Sequence, residues 1–402
     1  MQLALNDVPG FRCWGAHCGI KSKRRDLAMI VCDEPATAAA VFTQNVVVAE
    51  PVKLSRRHIR DGKAQAFVIN SGNANACTGK EGMKGAEAMA EAAAEAFGIE
   101  TKDVIVSSTG LIGEPFPTQK VVKGIHANAV KLSNRRVAST LCANAILTTD
   151  TFAKEAGTQF DIGGTTVSMS GIAKGSGMIH PNMATMLGFI VCDAKISKGL
   201  LQEALRESVD RTFNMITVDG DTSTNDMVAI MCSGKADHPV IRKKDEAYKS
   251  FRRALDDLCG ELARLIVSDG EGATKFVEYT VEGAADDEAA RKVARTISDS
   301  TLVKTALFGH DPNWGRIMGA AGRAGVDFDP DKVDLTLTAG AESVPILRDG
   351  QPVKLKRAVL GKRMRESFLK VTLDLHGGPG RAVAWGTDLS YEYVRINAEY
   401  TT

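Results

Sequence analysis

Met186-Leu187-Gly188-Phe189-Ile190-Val191 is a run of six residues without a polar interruption. A strand with one face in water alternates apolar and polar side chains, so this run predicts a strand in a sheet covered on both faces. Immediately before it stands Lys174-Gly175-Ser176-Gly177-Met178-Ile179-His180-Pro181-Asn182-Met183-Ala184-Thr185. A glycine-rich segment and a His-Pro turn thus lead to a hydroxyl at the mouth of the strand. Outward from this point helical and extended patterns alternate, which sets the class as α/β or α+β. Apolar residues at gaps of three and four predict a helix over about 81–97, with Met83, Ala86, Ala90, Ala93 and Phe97 on one side. The same pattern predicts helices over about 197–212, with Ser197 as N-cap, 245–266 and 286–298. Short β-branched runs predict strands near 66–69, 104–106, 165–169, 227–231, 276–281, 333–337 and 368–373. Asp349-Gly350 between apolar stretches predicts a hairpin, and Asp311-Pro312-Asn313 a type I turn. Charged helices and a plain hairpin follow residue 280, which suggests a main body over 1–280 and a smaller C-terminal lobe over 281–402.

Among 402 residues, 50 are Lys or Arg and 49 are Asp or Glu, a formal net charge of +1. That balance argues against a polybasic nucleic-acid binder and against an acidic solvating tail. The 44% hydrophobic and 25% charged content is that of a folded globular chain. No apolar run approaches the ~20 residues of a membrane helix. The opening Met1-Gln2-Leu3-Ala4-Leu5-Asn6-Asp7 lacks the basic and apolar regions of a secretory signal, so the cytoplasm is the expected location. The eight cysteines contain no C-x-x-C pair and read as reduced core residues.

Thr185 is a poor nucleophile unless a base removes its proton during attack. Its own α-amino group is an economical base, with a reference pKa of ~7.7–8.0. In an intact chain that nitrogen is an amide. The chemistry therefore requires the Ala184–Thr185 peptide to be cut, by attack of the Thr185 hydroxyl on the preceding carbonyl. On spacing alone, Thr185 reads as an ordinary β-branched residue at a strand start.

Further stretches change that balance: Ser108-Thr109-Gly110-Leu111-Ile112-Gly113, Thr148-Thr149-Asp150-Thr151, and 218–226 (Val-Asp-Gly-Asp-Thr-Ser-Thr-Asn-Asp). They continue with Asp269-Gly270-Glu271-Gly272-Ala273-Thr274-Lys275, Asp311-Pro312-Asn313-Trp314-Gly315-Arg316 and the tail from Arg395 to Thr402. With the segment before Thr185, these resemble the ornithine acetyltransferase family of arginine biosynthesis, in order and over nearly the whole chain. The resemblance implies a layered αββα-type sandwich, amino-terminal-nucleophile-like, that cuts itself into pieces 1–184 and 185–402. It implies ping-pong transfer of an acetyl group from N-acetylornithine to glutamate through an acetyl ester on Thr185, with no cofactor. Acetyl-CoA as a second donor is left open. An assembly with two copies of each piece is also implied.

By the same resemblance the Thr109 hydroxyl and Gly110 amide form the oxyanion hole, and Thr151, Lys174, Glu271, Asn397 and Thr402 contact substrate. Charge logic lets Lys174 bind a carboxylate and Glu271 favour an ammonium. Two other readings stand beside this one: a hydrolase or aminopeptidase of related fold, and a metal-dependent phosphate enzyme built on the 219–226 loop. That loop fails the calcium-loop template, because Thr224 stands where glycine is required. Local side-chain-to-backbone hydrogen bonds are its expected use. Gly319-Ala320-Ala321-Gly322-Arg323-Ala324-Gly325 has the wrong spacing for a dinucleotide loop and reads as small residues for helix packing. No histidine triad is read around His180 or His310.

Overall fold

The computed structural model describes residues 3–180, 186–354 and 357–399. The chain opens with β1 (Phe11–Ala16), β2 (Leu27–Phe42), α1 (Glu50–His58), β3 (Lys63–Asn73), α2 (Gly79–Phe97), β4 (Val104–Leu111), α3 (Thr118–Ala129) and α4 (Arg136–Ala145). It continues through β5 (Lys154–Ile162), β6 (Thr165–Lys174), β7 (Leu187–Cys192), α5 (Lys198–Arg211), β8 (Ile216–Thr217), β9 (Met227–Cys232) and α6 (Glu246–Ser268). Then come β10 (Phe276–Ala284), α7 (Asp287–Ser298), α8 (Thr301–Phe308), α9 (Trp314–Gly322), β11 (Asp334–Ala339) and β12 (Glu342–Arg348). Last are β13 (Gln351–Pro352), α10 (Arg357–Arg363), β14 (Phe368–Asp374), β15 (Gly380–Thr387) and α11 (Tyr391–Glu399). The described residues form two compact units, one of 3–175, 186–213 and 222–266, the other of 176–180, 214–221, 267–354 and 357–399.

In the first unit the strand order is β4-β3-β2-β9-β7-β6-β5, with β1 paired to β2. The apolar run starting at Met186 becomes β7, buried at every position between antiparallel β6 and parallel β9. Both of its faces are covered. Leu187, Phe189 and Val191 join Ile30, Phe67 and Ile69 against Ala138 and Cys142 of α4. On the opposite face Leu262 of α6 approaches the place where Gly171 and Ile190 meet. Strand alternation divides β2 likewise: Ala28, Ile30 and Cys32 face α4, while Leu27, Met29 and Val31 face Met89 and Ala90 of α2 and Ile125 of α3. Helix α2 ends at Gly98, whose left-handed backbone (φ +70°) returns its N–H to the Ala94 carbonyl.

The second unit has strand order β13-β12-β11-β14-β10-β15-β8. Val277, Tyr279, Val371 and Leu373 of its sheet pack with Ala290, Val293 and Ile297 of α7, Leu307 of α8 and Ala320 and Ala321 of α9. Helix α7 starts at Asp286, whose carboxylate accepts the Ala289 N–H at 2.8 Å. Asp349 (φ +45°) and Gly350 (φ +68°) turn β12 into β13, the two-residue hairpin expected of an Asp-Gly pair.

The α/β class and each predicted helix and strand appear, usually extended by a few residues. Three features differ. Asp311-Pro312-Asn313 is not a type I turn: the Asn313 N–H donates to the Asp311 carbonyl at 2.7 Å, and ψ of Asn313 is 69°. That is the tighter closure of a γ-turn centred on Pro312. Of the small residues over 319–325, Ala320, Ala321 and Ala324 pack at the core as expected, but the glycines do not all take part: a Cβ on Gly319 or Gly322 would meet open space. Six of the eight cysteines are buried, but Cys77 is exposed. Among the described residues no helix is long and apolar enough to cross a membrane.

Candidate active site

Strands carry the first unit's cluster. β4 runs parallel to β3 and ends in Ser107-Ser108-Thr109-Gly110-Leu111, with Gly110 opposite Gly72. Gly110 has φ +133°, and a Cβ there would lie 2.3 Å from the Gly72 carbonyl carbon, so only glycine fits. The Ser108–Thr109 peptide is fixed from outside the strand: the Asn225 amide donates to the carbonyls of Ser108 (2.9 Å) and Ala74 (2.6 Å). The Ser108 hydroxyl donates to Asn70 Oδ1 at 2.6 Å.

Lys174 closes β6 and pairs in register with Leu187 of β7. Its nearly buried ammonium donates to Thr148 Oγ1 at 2.8 Å and to Thr109 Oγ1 at 3.4 Å, with Asp150 Oδ2 at 3.9 Å. Asp150 is fully buried and already engaged. It accepts from Lys154 Nζ (2.7 Å), the Gly175 N–H (2.7 Å) and the Thr148 N–H (2.9 Å). Burial would push the Asp150 carboxyl up, but the Lys174 and Lys154 charges and these hydrogen bonds hold it well below the usual carboxylate range. Lys174 thus keeps a charge only partly met by the protein, which suits a carboxylate or an oxyanion. Burial, together with the Lys174 and Arg24 charges and against the attraction of Asp26, pushes the neighbouring Lys21 ammonium down to about 8.

The second unit's cluster is built from turns and α11. The Asn397 amide donates to Glu271 Oε2 at 2.8 Å, and Glu271 is nearly buried. A neutral amide leaves the carboxylate its charge, which fits an ammonium ligand. The segment 176–180 is tied down along its length. Ser176 Oγ donates to the Asp269 carbonyl (2.6 Å), and the Glu271 N–H donates to the Ser176 carbonyl (3.0 Å). The Met178 and Ile179 N–H groups donate to the two oxygens of Asp219 at 2.6 and 2.8 Å. Burial pushes the Asp219 carboxyl up against these bonds. Arg295 donates to His180 Nε2 at 2.8 Å, which leaves Nδ1 facing Thr217 Oγ1 at 3.2 Å and Asp299 Oδ1 at 3.5 Å.

Among the residues read from sequence, Thr109, Gly110 and Lys174 come together in one unit, and Glu271 with Asn397 in the other. Thr151 is exposed, and the hydroxyl that meets Lys174 belongs to Thr148. Ala184, Thr185 and Thr402 lie outside the described residues. Asp150, Lys154, Thr148, Lys21, Asn225 and Tyr393 were not singled out from sequence. The only signal for Asp150, Thr148 and Asn225 was their place in the Thr148–Thr151 and 218–226 stretches. Asp219 bonds to the Asp221 N–H at 3.3 Å, in keeping with a locally bonded loop, but also to partners far away in sequence. Among the described residues no three His, Cys, Asp or Glu side chains converge as metal ligands.

Residues 12–402 match the profile of the ArgJ family. The arginine biosynthesis bifunctional protein ArgJ of Symbiobacterium thermophilum is 49% identical over 396 residues, covering 98% of this chain and 97% of its own. That of Caldanaerobacter subterraneus is 46% identical with the same coverage. The crystal structure of the ArgJ protein from Bacillus halodurans superposes with a TM-score of 0.51 at 44% identity, covering 54% of this chain and 100% of its own.

Proposed function

The chain belongs to the ArgJ family, and from that premise we propose that it is a self-cleaving acetyltransferase of arginine biosynthesis. The observation that carries the reading is the convergence of Lys174 and Thr109 at the ends of β6 and β4, with Lys174 paired to Leu187, two positions after Thr185 in sequence.

In this reading the Thr185 hydroxyl attacks the Ala184 carbonyl, the C–N bond breaks, and the acyl group moves to oxygen as an ester. Water hydrolyses the ester, leaving an Ala184 carboxylate and a free Thr185 amine. That amine takes the hydroxyl proton as Thr185 attacks the acetamide of N-acetylornithine, and gives it to the departing ornithine amine. Thr109 and Gly110 hold the developing oxyanion. Glutamate then attacks the acetyl ester, giving N-acetylglutamate and restoring the hydroxyl. Water must stay out between the two halves. Thr151, Lys174, Glu271, Asn397 and Thr402 are the proposed substrate contacts, with Lys174 for a carboxylate and Glu271 for an ammonium. A cut before Thr185 leaves 218 of 402 residues, in keeping with the 54% of the chain matched by the whole Bacillus halodurans chain. The relatives' shared description as bifunctional supports a second activity, glutamate acetylation from acetyl-CoA. The pieces are taken to remain together, two copies of each, in the cytoplasm.

Denaturing mass spectrometry tests the core of this. Two pieces are expected, the second beginning Thr-Met-Leu-Gly, and Thr185→Ala should remain whole and inactive. A fully active uncut chain would sink the reading. Acetate release independent of glutamate would favour a hydrolase instead.

A further inference from the structure

Asp219 receives four hydrogen bonds from three separate places in the second unit. The Met178 N–H reaches Oδ2 at 2.6 Å, and the Ile179 and Asp221 N–H groups reach Oδ1 at 2.8 and 3.3 Å. The Tyr393 hydroxyl, from α11, reaches Oδ2 at 3.2 Å. Met178 stands at φ +56°, a left-handed conformation that a side chain disfavours and that needs outside support. Ile179 is held on its other side as well, its carbonyl accepting the Val218 N–H at 2.7 Å. This carboxylate therefore helps to fix the backbone at Met178 and Ile179, in the stretch that precedes Ala184–Thr185 in sequence.

The same carboxylate is an anchor for α11. No residue of that helix is fully buried, so its placement depends on a few contacts, the edge-on packing of Tyr391 against Phe308 at 5.4 Å and several polar ones. Tyr393 and Asn397 are four positions apart and share a helix face. Tyr393 meets Asp219, and Asn397 meets Glu271. At the start of the helix the Ser390 hydroxyl donates to the Gly272 carbonyl at 2.6 Å, and a Cβ on Gly272 would lie 2.4 Å from the Tyr393 nitrogen.

We propose that Asp219 is a positioning residue for self-cleavage, and that docking of the C-terminal helix through Tyr393 sets how well it holds the segment before the cut. The proposal rests on the self-cleavage reading. In that reading the attack needs a carbonyl presented at a fixed angle, and small misplacements are costly. Asp219→Asn places an NH2 among N–H donors and loses one of the two acceptor oxygens, so the left-handed turn at Met178 loses its clamp. Tyr393→Phe removes a single hydroxyl and keeps the ring.

Cell-free translation of the full chain, sampled over time on denaturing gels and by mass spectrometry, reads the cut directly. Asp219→Asn should cut about tenfold or more slowly, and Tyr393→Phe about threefold more slowly. The double variant should be no slower than Asp219→Asn alone, because Tyr393 acts through that carboxylate. Independent structural damage would instead add. Either single variant cutting at the wild-type rate, or full additivity, overturns the proposal. Should Asp219→Asn show no cooperative melting transition, Tyr393→Phe decides alone. A wild-type chain that is active yet never cut is a different result, and removes the self-cleavage reading itself.

Discussion

Lys174 Nζ lies 3.4 Å from Thr109 Oγ1. An ammonium has protons and no lone pair, so the Thr109 oxygen must accept and its own proton is left to donate elsewhere. In the proposed mechanism Lys174 thereby fixes the direction of the oxyanion donor, besides offering a charge to the substrate. Thr148 Oγ1, at 2.8 Å, holds the ammonium in that place.

Lys174→Met should therefore lower kcat as well as raise KM. Losing the aim of one oxyanion donor costs on the order of 10² in rate, and losing the donor itself through Thr109→Val costs on the order of 10²–10³. Steady-state kinetics with N-acetylornithine and glutamate separate the effects. A Lys174→Met enzyme with unchanged kcat would leave Lys174 as a binding residue alone.

Asp150 carries a stability prediction with a defined pH window. Its folded carboxyl is held below the unfolded value of 3.8, so its contribution is fully present above that pH and fades as pH falls through the lower folded value. Asp150→Asn removes the carboxylate charge that the buried Lys154 ammonium meets at 2.7 Å, at a cost of about 3–5 kcal/mol at neutral pH. Denaturant unfolding from pH 7 down to pH 3 should show the gap between the two proteins narrowing only at the acid end. A gap constant with pH contradicts the assignment.

These networks also show what the chain discloses before it is folded. β7 was legible because its six residues leave no polar face, and α2 and α6 because their apolar stripes recur every three or four positions. The 16-residue β2 was not. Ala36, Ala38, Ala39 and Ala40 have little strand preference, and Asp33-Glu34-Pro35 interrupts the run where the pairing with β3 shifts between Val31 and Ala36. At the site, Thr109, Gly110 and Lys174 could be picked out by resemblance, but their support could not. Asp150 looks like any loop aspartate until β6 and its following turn bring Lys174 and Gly175 to it. Asp219 meets Met178 and Tyr393, which are 41 and 174 positions away. Contacts of that separation leave no local pattern to read.

Gly110 and Gly98 make a matched pair for testing how close the strands lie. Both have positive φ, but a Cβ on Gly98 would meet nothing within 4 Å, while one on Gly110 would lie 2.3 Å from Gly72 backbone. Gly98→Ala should cost about 1 kcal/mol, the usual price of a left-handed alanine. Gly110→Ala must also force β3 and β4 apart, and is expected to cost about 3 kcal/mol or more and to abolish activity. Equal melting temperatures for the two variants would contradict the close approach.

Lys304 predicts a response at alkaline pH. It sits on α8, fully buried, with Nζ donating to the Thr387 carbonyl at 2.5 Å and to the Thr387 hydroxyl at 3.0 Å. Burial, opposed by Asp388, Asp219 and Asp299, pushes its ammonium down to about 8 from an ordinary 10.5. Between those two values the unfolded chain holds a proton there that the folded chain has released. Stability must then rise with pH across that window, by at most about 3 kcal/mol from this group. Lys304→Met keeps an unbranched chain of similar length and has no proton to release, so the rise should be missing from it. Urea unfolding of both proteins between pH 7.5 and 10 tests this by difference, since every other lysine and tyrosine is common to the two. If the curves run parallel, Lys304 keeps an ordinary affinity for its proton in the folded chain and the predicted window does not exist.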